Sequence, residues 1–415
     1  MTELEKQGAG AQAAARVLAV ASTEVKNAAL AAIAEGLLAS CDEILAANAA
    51  DMEAAQAGGM AKAMLDRLQL TPARVADMAD GVRQVAALPD PIGAVDMRTR
   101  RPNGLLIERR RVPLGVIAII FEARPNVTSD AAALCLKSGN AVILRGGKEA
   151  ARSCRAIAAV MRRAAASAGL PEDCINLVAD PSRKSAEELM RLREYVNVLI
   201  PRGGAGLIRA TVENARVPVI ETGVGNCHVY VDGAADLEMA AEIIYNAKCS
   251  RPSVCNAAET LLVAEPVAEA FLPMAKARLD EKNTQLRGCA RTREILGSCV
   301  VPATEDDYAR EFGDYILAVK VVSNVDEAIA HIARYSTGHS ECIVTEDAAA
   351  AAKFMDNVDA AAVYQNASTR FTDGGEFGLG AEIGISTQKM HARGPMGLEQ
   401  LTSVKYTVYG TGQVR

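Results

Sequence analysis

The sequence predicts an α/β protein of at least two domains, with helices packed on parallel sheets. From residue 114 onwards, short apolar segments alternate with helical segments, which is typical of a parallel sheet covered on both faces. The chain has 415 residues, and half of them are hydrophobic. Because a single core stops growing at roughly 250–300 residues, this length predicts more than one domain.

Residues 1–87 are predicted to be helical. Ser40–Glu43 has the residue types of a capping box, and Gly58–Gly59 is expected to end the helix that follows it. Thr71–Pro72 predicts the next helix start, because proline is favoured in the first turn. Leu88–Pro91 then interrupts the helical pattern.

A charged β-hairpin is predicted at residues 98–111. Its two short arms flank Pro102–Gly104, and the dipeptide Asn-Gly within that segment is a strong hairpin signal. The arms are rich in arginine and carry little that could fill a core. The segment Leu401–Tyr409 is strand-like and polar at alternate positions, so it is expected to pair with this hairpin outside the main sheets.

The alternating region is predicted to form two series of strands and helices. Strands of the first series are expected at Val116–Phe121, Ala141–Arg145, Ile175–Val178, Val196–Pro201 and Val217–Ile220. One helix is expected at 128–138, and a second follows the strand Ala141–Arg145 and runs up to 168. Two more are expected at 182–193 and 205–214. The second series runs from about 236 to 365, with strands near 259–263, 317–322, 341–345 and 361–364.

Composition excludes several classes of protein. A net charge of −6 disfavours binding to nucleic acid or to an anionic membrane. No apolar run approaches the roughly 20 residues that span a bilayer, and the N-terminus does not resemble a signal peptide. The ten cysteines form no C-x-x-C pair, so we expect reduced thiols, no metal site and a cytoplasmic location.

Two glycine-rich turns predict a nucleotide site. The strand Ala141–Arg145 runs into Gly146–Gly147 and Lys148, and the segment Pro201–Gly206 repeats the order of strand, glycines and helix. Ligands of parallel sheets bind at the carboxyl ends of strands, and glycines let the backbone approach a phosphate. Each turn alone is equally well explained as a tight connection, but two of them favour a nucleotide, with Gly203–Gly204 in the second turn.

Cys255 is the candidate nucleophile. It lies in a small, polar segment preceded by a proline, whereas the cysteines in apolar patterns are expected to be inert core residues: Cys135, Cys154, Cys174 and Cys342. Cys249 is a nearby competitor. Glu221 ends an apolar segment and is followed by glycines, so it either points into a cleft or is a solvated turn residue.

These residues resemble the aldehyde dehydrogenase superfamily, in which a Glu and a catalytic Cys stand in the same relation as Glu221 and Cys255. The resemblance extends over about residues 10–410 and is closest to the branch that reduces acyl phosphates. The segments that carry it are Pro113–Ala118, Glu122–Thr128, Lys137–Asn140, Arg145–Gly147, Val325–Ile332, Ser336–Glu341 and Asn366–Gly374.

The resemblance implies three domains. A Rossmann-like cofactor domain would comprise 1–97 and 112–228, and an α/β catalytic domain would comprise 229–365. A small β flap for oligomerisation would combine 98–111 with 395–415. The flap agrees with the pairing expected independently for the charged hairpin, and it implies a homo-oligomer, either a dimer or a tetramer.

The resemblance also implies the reaction. NADPH would reduce L-glutamyl 5-phosphate to L-glutamate 5-semialdehyde and phosphate, through a thioester on Cys255. Glu221 would shape the site, and Asn126 is a candidate donor to the oxyanion, although it follows its proline instead of preceding a Phe-Pro pair. The kinase that supplies the acyl phosphate, glutamate 5-kinase, is a candidate partner.

Further roles follow from the same resemblance. Arg145, beside Lys148, would favour NADP over NAD through the 2′-phosphate. Glu311 would hold the nicotinamide ribose, within a motif that is one residue short here. The cations expected to bind the substrate are Arg124, Arg251 and Arg370, and for each a structural ion pair is the alternative.

Two other functions stay open at this point. The chain could oxidise aldehydes with water in place of phosphate, or it could be a catalytically silent scaffold for the kinase. The histidines do not separate these readings. His228 and His331 are expected to be satisfied core residues, and the role of His339 is left open.

Overall fold

The computed structural model describes residues 1–415, apart from the side chain of Ala63. The α/β fold class is confirmed. The chain divides into two compact units: unit 1 comprises Met1–Thr222, Gly378–Gly384 and Met396–Arg415, and unit 2 comprises Gly223–Phe377 and Ile385–Pro395. None of the described helices is long and apolar enough to cross a membrane.

The helical start of the chain is confirmed. Its helices are α1 (Glu3–Leu18), α2 (Thr23–Ala39), α3 (Cys41–Ala57), α4 (Lys62–Leu68) and α5 (Pro72–Ala87). Thr71 caps α5 through its hydroxyl, and α3 ends at Gly58 as expected. The capping box at Ser40 is wrong, because that side chain makes no cap hydrogen bond. Ser40 also ends α2, so its backbone lacks the extended conformation that an N-cap needs.

The charged hairpin and the C-terminal strand form one antiparallel sheet, as predicted. Its strands are β1 (Val95–Arg100), β2 (Leu106–Pro113) and β16 (Thr402–Tyr409), and β2 lies between the other two. Lys405 pairs with Arg110 and Tyr406 with Arg109, so the two segments match along their whole length. This sheet belongs to unit 1.

Unit 1 also contains a parallel sheet of four strands in the order β5-β4-β3-β6. The strands are β3 (Val116–Phe121), β4 (Ala141–Arg145), β5 (Ile175–Leu177) and β6 (Val198–Arg202). The helices between and after them are α6 (Val127–Lys137), α7 (Ala151–Ser167), α8 (Arg183–Arg191) and α9 (Ala205–Asn214). The predicted strand Val217–Ile220 is wrong. It forms one isolated bridge to β6, between Leu199 and Val219, and its ladder hydrogen bonds to β6 all involve Leu199.

Unit 2 contains a parallel sheet of seven strands in the order β10-β9-β11-β8-β7-β12-β13. The strands are β7 (Cys227–Val231), β8 (Ala258–Ala264), β9 (Gln285–Gly288), β10 (Val301–Pro302), β11 (Ile316–Val322), β12 (Ser340–Val344) and β13 (Ala362–Gln365). The helices are α10 (Leu237–Cys249), α11 (Glu265–Asp280), α12 (Ala290–Leu296), α13 (Glu305–Tyr308), α14 (Val325–Tyr335) and α15 (Ala348–Asn357). A short pair, β14 (Ile385–Ser386) with β15 (Gly394–Pro395), completes the unit.

The predicted site residues lie at the carboxyl ends of the strands in unit 1, whereas Cys255 and Glu311 lie at the amino ends of the strands in unit 2. In unit 1 these residues follow β3, β4 and β6, so they gather at the carboxyl ends of parallel strands. In unit 2, Cys255 precedes β8 and Glu311 precedes β11, so they gather at the amino ends. The strands themselves are buried core, and the two edges supply the loops that carry chemistry.

Candidate functional site

Cys255 lies in the loop between α10 and β8. Its side chain is half-buried and forms no disulfide. The competing thiol of Cys249 is buried, and burial raises its pKa. The cysteines expected to be inert are buried too, and burial raises each thiol pKa: Cys135, Cys154, Cys174 and Cys342. Between the two candidates, Cys255 is therefore the more accessible nucleophile.

Gly225 is packed against the backbone of Cys255. A Cβ at position 225 would lie 1.5 Å from the carbonyl oxygen of Cys255, far inside any van der Waals contact. The Gly225 N–H donates to Oε1 of Glu311 at 3.2 Å. Only glycine fits there, and Glu311 thus holds the backbone that supports the nucleophile. The assignment of Glu311 to the nicotinamide ribose stays a prediction.

The segment after Glu311 is held by a buried ion pair. Nζ of Lys248 lies 2.6 Å from Oε2 of Glu259, and both side chains are fully buried. Oε1 of the same carboxylate accepts the N–H of Gly313 at 3.1 Å. Burial raises the pKa of Glu259 to about 7, against the opposing charge of Lys248. The pair thus fixes one end of the segment 311–313, and Gly225 fixes the other.

The guanidinium of Arg370 puts positive charge next to Cys255, because it donates to Oδ1 of the adjacent Asn256. Burial lowers the pKa of Arg370, the neighbouring guanidinium of Arg251 lowers it further, and the Cys255 thiolate opposes that shift. Nε of Arg370 donates to Oγ of Ser250 at 3.1 Å, so this side chain also has a structural role. Arg251 is exposed and makes no ion pair within the described chain. Nearby cations stabilise a thiolate, and they can also bind an anionic substrate.

The turn after β3 carries two predicted site residues of unit 1, Arg124 and Asn126. Ala123 has φ +39°, a left-handed backbone that costs a non-glycine residue energy and is concentrated at functional sites. Its N–H donates to Oε1 of Glu149 at 2.9 Å. Nδ2 of Asn126, an exposed side chain, donates to Asp130 at 2.9 Å. That amide is engaged locally, and the catalytic role of Asn126 stays a prediction.

Arg145 is a buried anchor in the structure. Its guanidinium donates to the carbonyl oxygens of Pro181 at 2.5 Å and Ser182 at 2.9 Å, and only 9% of the residue is exposed. Burial lowers its pKa. These two bonds hold the loop after β5 against the end of β4. They leave Arg145 less suited than an exposed cation to meet a 2′-phosphate.

A narrow cleft of about 10 Å³ lies at the carboxyl ends of β4 and β5. Gly146 and Arg155 line it, together with residues 177–181 of the loop after β5. Lys148 and Arg155 are exposed and make no ion pair among the described residues. A Cβ at Gly146 would lie 3.0 Å from Sγ of Cys154, so glycine lets the turn pack closely. The residues present fit an anionic nucleotide.

The second glycine turn is already occupied by a carboxylate. The N–H of Gly204 donates to Oε2 of Glu122 at 3.0 Å, and a Cβ at Gly203 would lie 2.4 Å from the same oxygen. An anionic phosphate would have to displace this carboxylate to use that N–H. The turn still needs its glycines, but this contact argues against phosphate binding there. The cofactor role of Gly203–Gly204 stays a prediction.

Glu221 is half-buried and lies one residue before Thr222, where the first stretch of unit 1 ends. Thr222 beside it is buried, and its hydroxyl donates to the carbonyl oxygen of Pro201 at 2.9 Å. This bond fixes the chain just after Glu221. Glu221 belongs to unit 1 and Cys255 to unit 2. The predicted relation between them stays a prediction.

One histidine expectation is wrong. His331 is buried, and neither of its ring nitrogens has a hydrogen-bond partner among the described residues, so it is not a satisfied histidine. Its ring packs instead against aromatic rings, with Tyr335 at 4.5 Å and Tyr308 at 5.0 Å between centroids. His228 is half satisfied, because Nδ1 lies 3.0 Å from Glu341 while Nε2 has no partner in the described chain.

Sequence reasoning missed several residues around Cys255. Asn256, Cys227 and the pair Lys248–Glu259 all contact the loop or its supports, and none was singled out. Asn256 is adjacent to the nucleophile, which was a usable signal. The others depend on contacts between separate strands, which no local pattern reveals.

Known proteins resemble this chain both in sequence and in fold. The model of the aldehyde dehydrogenase family matches residues 2–295. A protein named gamma-glutamyl phosphate reductase from Heliobacterium modesticaldum is 61% identical over 414 residues, which covers 100% of this chain and 99% of that protein. Another protein of that name, from Carboxydothermus hydrogenoformans, is 59% identical and is covered in full, as is this chain.

The crystal structure of gamma-glutamyl phosphate reductase from Thermotoga maritima superposes with a TM-score of 0.98. Its sequence is 50% identical, and the match covers 100% of both chains. Family membership implies a nicotinamide cofactor and a small-molecule substrate. With a family model over more than half of its length and full-length relatives near 60% identity, the chain belongs to the aldehyde dehydrogenase family.

Proposed function

We propose that the protein reduces L-glutamyl 5-phosphate to L-glutamate 5-semialdehyde and phosphate, with NADPH, through a thioester on Cys255. The observation that carries the proposal is the half-buried thiol of Cys255, next to Asn256, whose Oδ1 accepts from the guanidinium of Arg370. The names of the full-length relatives support the substrate. The reaction needs a nucleophile that leaves again, and a thiolate meets both demands.

The first step forms the thioester. The Cys255 thiolate attacks the γ-carbonyl carbon, the bond from that carbon to the phosphate oxygen breaks, and phosphate leaves. We assign Arg251 and Arg370 to bind the phosphate and the α-carboxylate of the substrate, since guanidinium groups bind such anions well. Each tetrahedral stage puts negative charge on one oxygen, and we assign the N–H of Cys255 as a donor to it. One such donor lowers a barrier by about 3–4 kcal/mol.

The second step releases the aldehyde. When bound, a reduced nicotinamide cofactor would supply the hydride that the thioester carbon takes up. The carbon–sulfur bond then breaks, which regenerates the Cys255 thiolate and frees the semialdehyde. Glu221 is not needed to activate water, because hydrolysis would divert the thioester to glutamate. We assign it a role in shaping the site.

We infer that NADPH is preferred to NADH and that its 2′-phosphate meets Lys148 and Arg155. Both side chains are exposed cations at the carboxyl edge of the unit 1 sheet, and Arg155 lines the cleft there. Arg145 supports this site through its bonds to the loop after β5. Gly146 and Gly147 let the backbone of the turn approach the nucleotide.

We also infer a homo-oligomer, a dimer or a tetramer, assembled through the antiparallel sheet. The strand β16 lies at the edge of that sheet, and an edge strand offers unpaired backbone groups to a second strand. It exposes apolar and aromatic side chains: Val404, Tyr406, Val408 and Tyr409. Contact with glutamate 5-kinase stays a prediction.

The test is acid quenching of the enzyme with labelled glutamyl phosphate, followed by mass mapping of the labelled peptide. We expect the label on the peptide that contains Cys255. Cys255→Ala should abolish turnover, whereas Cys249→Ala should leave it within about twofold of wild type. Label on another peptide, or full activity of Cys255→Ala, would overturn the assignment.

The reverse assay separates the reductase from the two alternatives. With glutamate semialdehyde and NADP, the reductase should require inorganic phosphate or arsenate. A rate that does not depend on that anion would favour an aldehyde-oxidising dehydrogenase. Absence of turnover in both directions would favour the scaffold.

A further inference from the structure

Asn256, the residue after Cys255, is buried, and its hydrogen-bonding groups are directed at one short segment, 369–372. Nδ2 donates to the carbonyl oxygens of Arg370 at 3.2 Å and Thr372 at 3.1 Å. Oδ1 accepts from the guanidinium of Arg370. The Asn256 carbonyl oxygen accepts from Oγ1 of Thr369 at 2.7 Å. Four bonds therefore tie the neighbour of the nucleophile to three residues of this segment, Thr369, Arg370 and Thr372.

The segment 369–372 is itself fixed to the sheet. Oγ1 of Thr372 lies 2.6 Å from Oγ of Ser340 and 2.6 Å from the hydroxyl of Tyr364, and these residues belong to β12 and β13. Oγ of Ser340 lies 2.8 Å from Nδ1 of His339. Burial lowers the pKa of His339 to about 4, so the ring stays neutral near pH 7. Asn256 is therefore bonded to a segment that is itself fixed to β12 and β13.

A second, separate contact holds Cys255 itself. Sγ of Cys227, at the start of β7, donates to the carbonyl oxygen of Cys255 at 3.2 Å. Cys227 is fully buried, and burial raises its pKa well above the ordinary thiol value, so it remains a protonated donor. Gly225 passes on the same side of the Cys255 backbone. The nucleophile is therefore held through its carbonyl as well as through its neighbour.

We propose that Asn256 and Cys227 are positioning residues that fix the backbone of Cys255, so that its thiolate and its N–H both face the substrate carbonyl. The proposal rests on the proposed role of Cys255 as the nucleophile. Attack needs the reacting atoms about 3–3.5 Å apart and aligned, and a misplacement of about 1 Å can lower the rate about a hundredfold. Neither side chain needs to touch the substrate for this effect.

The first test compares Asn256→Ala and Asn256→Asp with the control Asn357→Ala. Asn357 is an exposed asparagine of the same unit, whose amide bonds only to its own helix. We expect kcat to fall about tenfold to a hundredfold in both Asn256 variants, while the KM for NADPH stays within twofold. Aspartate should not rescue, because it keeps the acceptor for Arg370 but turns a charged oxygen towards two carbonyls.

The second test uses Cys227→Ser and Cys227→Ala, with Cys299→Ser as the control because Cys299 is exposed. Serine keeps a donor to the Cys255 carbonyl and should retain kcat within about threefold, whereas alanine should lose about tenfold. The rate at which iodoacetamide alkylates Cys255, read by peptide mass across a range of pH, should shift with alanine and not with serine.

The outcomes separate the two proposals. If Cys255→Ala abolishes activity while Asn256→Ala and Cys227→Ala keep kcat and the alkylation profile of wild type, positioning is overturned and the nucleophile stands. If Cys255→Ala stays active, the nucleophile assignment fails whatever the other variants do. If Asn256→Ala does not fold, equal kcat for Cys227→Ala and Cys227→Ser would by itself overturn the proposal.

Discussion

The loop that carries Cys255 and the turn that carries Lys148 are built in opposite ways. Around Cys255, buried side chains hold the backbone from several strands, and Gly225 leaves no room for a Cβ. At the turn, by contrast, the cations Lys148 and Arg155 are exposed and make no ion pair among the described residues. A reacting atom must be placed to within about 0.5 Å, whereas a phosphate needs mainly positive charge within reach. The difference in construction follows from that difference in demand.

The largest effect is expected from Gly225→Ala, which disrupts the rigidly held loop that carries Cys255. The new methyl group would overlap the carbonyl of Cys255, so the loop must move and the thiolate with it. We expect kcat to fall by about a hundredfold or more, measured together with thermal unfolding. Gly233→Ala is the matched control in the same unit, since its Cβ would meet only Pro266 at 3.9 Å. A variant with near-normal kcat would show that the loop is far more yielding than these contacts imply.

The next effect concerns the stability of unit 2. Lys248→Met leaves the carboxyl of Glu259 buried without its cation, and such a loss costs about 3–5 kcal/mol. Urea unfolding of the variant should show that decrease. In the double variant with Glu259→Gln, the amide oxygen can still accept the N–H of Gly313, so most of the loss should be recovered. Equal stabilities of the single and double variants would contradict this account of the pair.

Sequence patterns located the framework of both regions but not the contacts that distinguish them. The strands β3 and β4 match their predicted bounds because they are continuous apolar runs buried on both faces. The strand β7 was missed, and the predicted domain border at 228/229 cuts through it, since Cys227 and His228 break the apolar run. The strand β9, Gln285–Gly288, offers only one aliphatic residue to recognise.

Sequence singled out candidate site residues where residue type and position carry the signal. Cys255 was singled out by its polar, proline-preceded setting together with the family resemblance, and the glycine turn after β4 by its position at a strand end; the roles of both stay predictions. Cys227 and Cys255, which are in contact, lie 28 positions apart in the sequence. The contacts of Asn256 with 370–372 join residues more than 110 positions apart. Such pairs depend on strand order, which the local pattern does not contain. Arg145 illustrates the same limit, because its residue type cannot show that carbonyls occupy its guanidinium.

The two units should also respond differently to acid. All four histidines lie in unit 2. Burial and the neighbouring His228 lower the pKa of His331 from 6.5 to about 3, so its contribution to stability is present above pH 6.5 and is lost as the pH falls towards 3. In unit 1, burial raises the pKa of Asp130 to about 6, which works in the opposite direction, with stability lost as the pH rises through 6.

His331→Phe measures this difference. Phenylalanine keeps the ring among Tyr308 and Tyr335 but does not take up a proton. We expect it to remove about 2 kcal/mol of the stability that wild type loses between pH 7 and pH 5. Urea unfolding at the two pH values measures the free energy of unfolding. Hydrogen exchange then shows whether the loss lies in unit 2. An unchanged pH dependence would mean that His331 is protonated freely in the folded protein.

The smallest effect is expected at the exposed turn of unit 1. Lys148→Ala and Arg155→Ala should each lower the preference for NADPH over NADH about tenfold, since each removes one charged contact to the 2′-phosphate. Arg163→Ala is the control from the same helix as Arg155, because its guanidinium lies 3.6 Å from Glu43 and outside the cleft. The kcat with saturating NADPH should stay within twofold, since neither cation supports Cys255. Added salt should weaken NADPH binding in wild type more than in the variants, because exposed charges are screened and buried hydrogen bonds are not. If these variants instead lost kcat and kept their cofactor preference, Lys148 and Arg155 would belong with the rigid construction around Cys255, and the contrast between the two regions would fail.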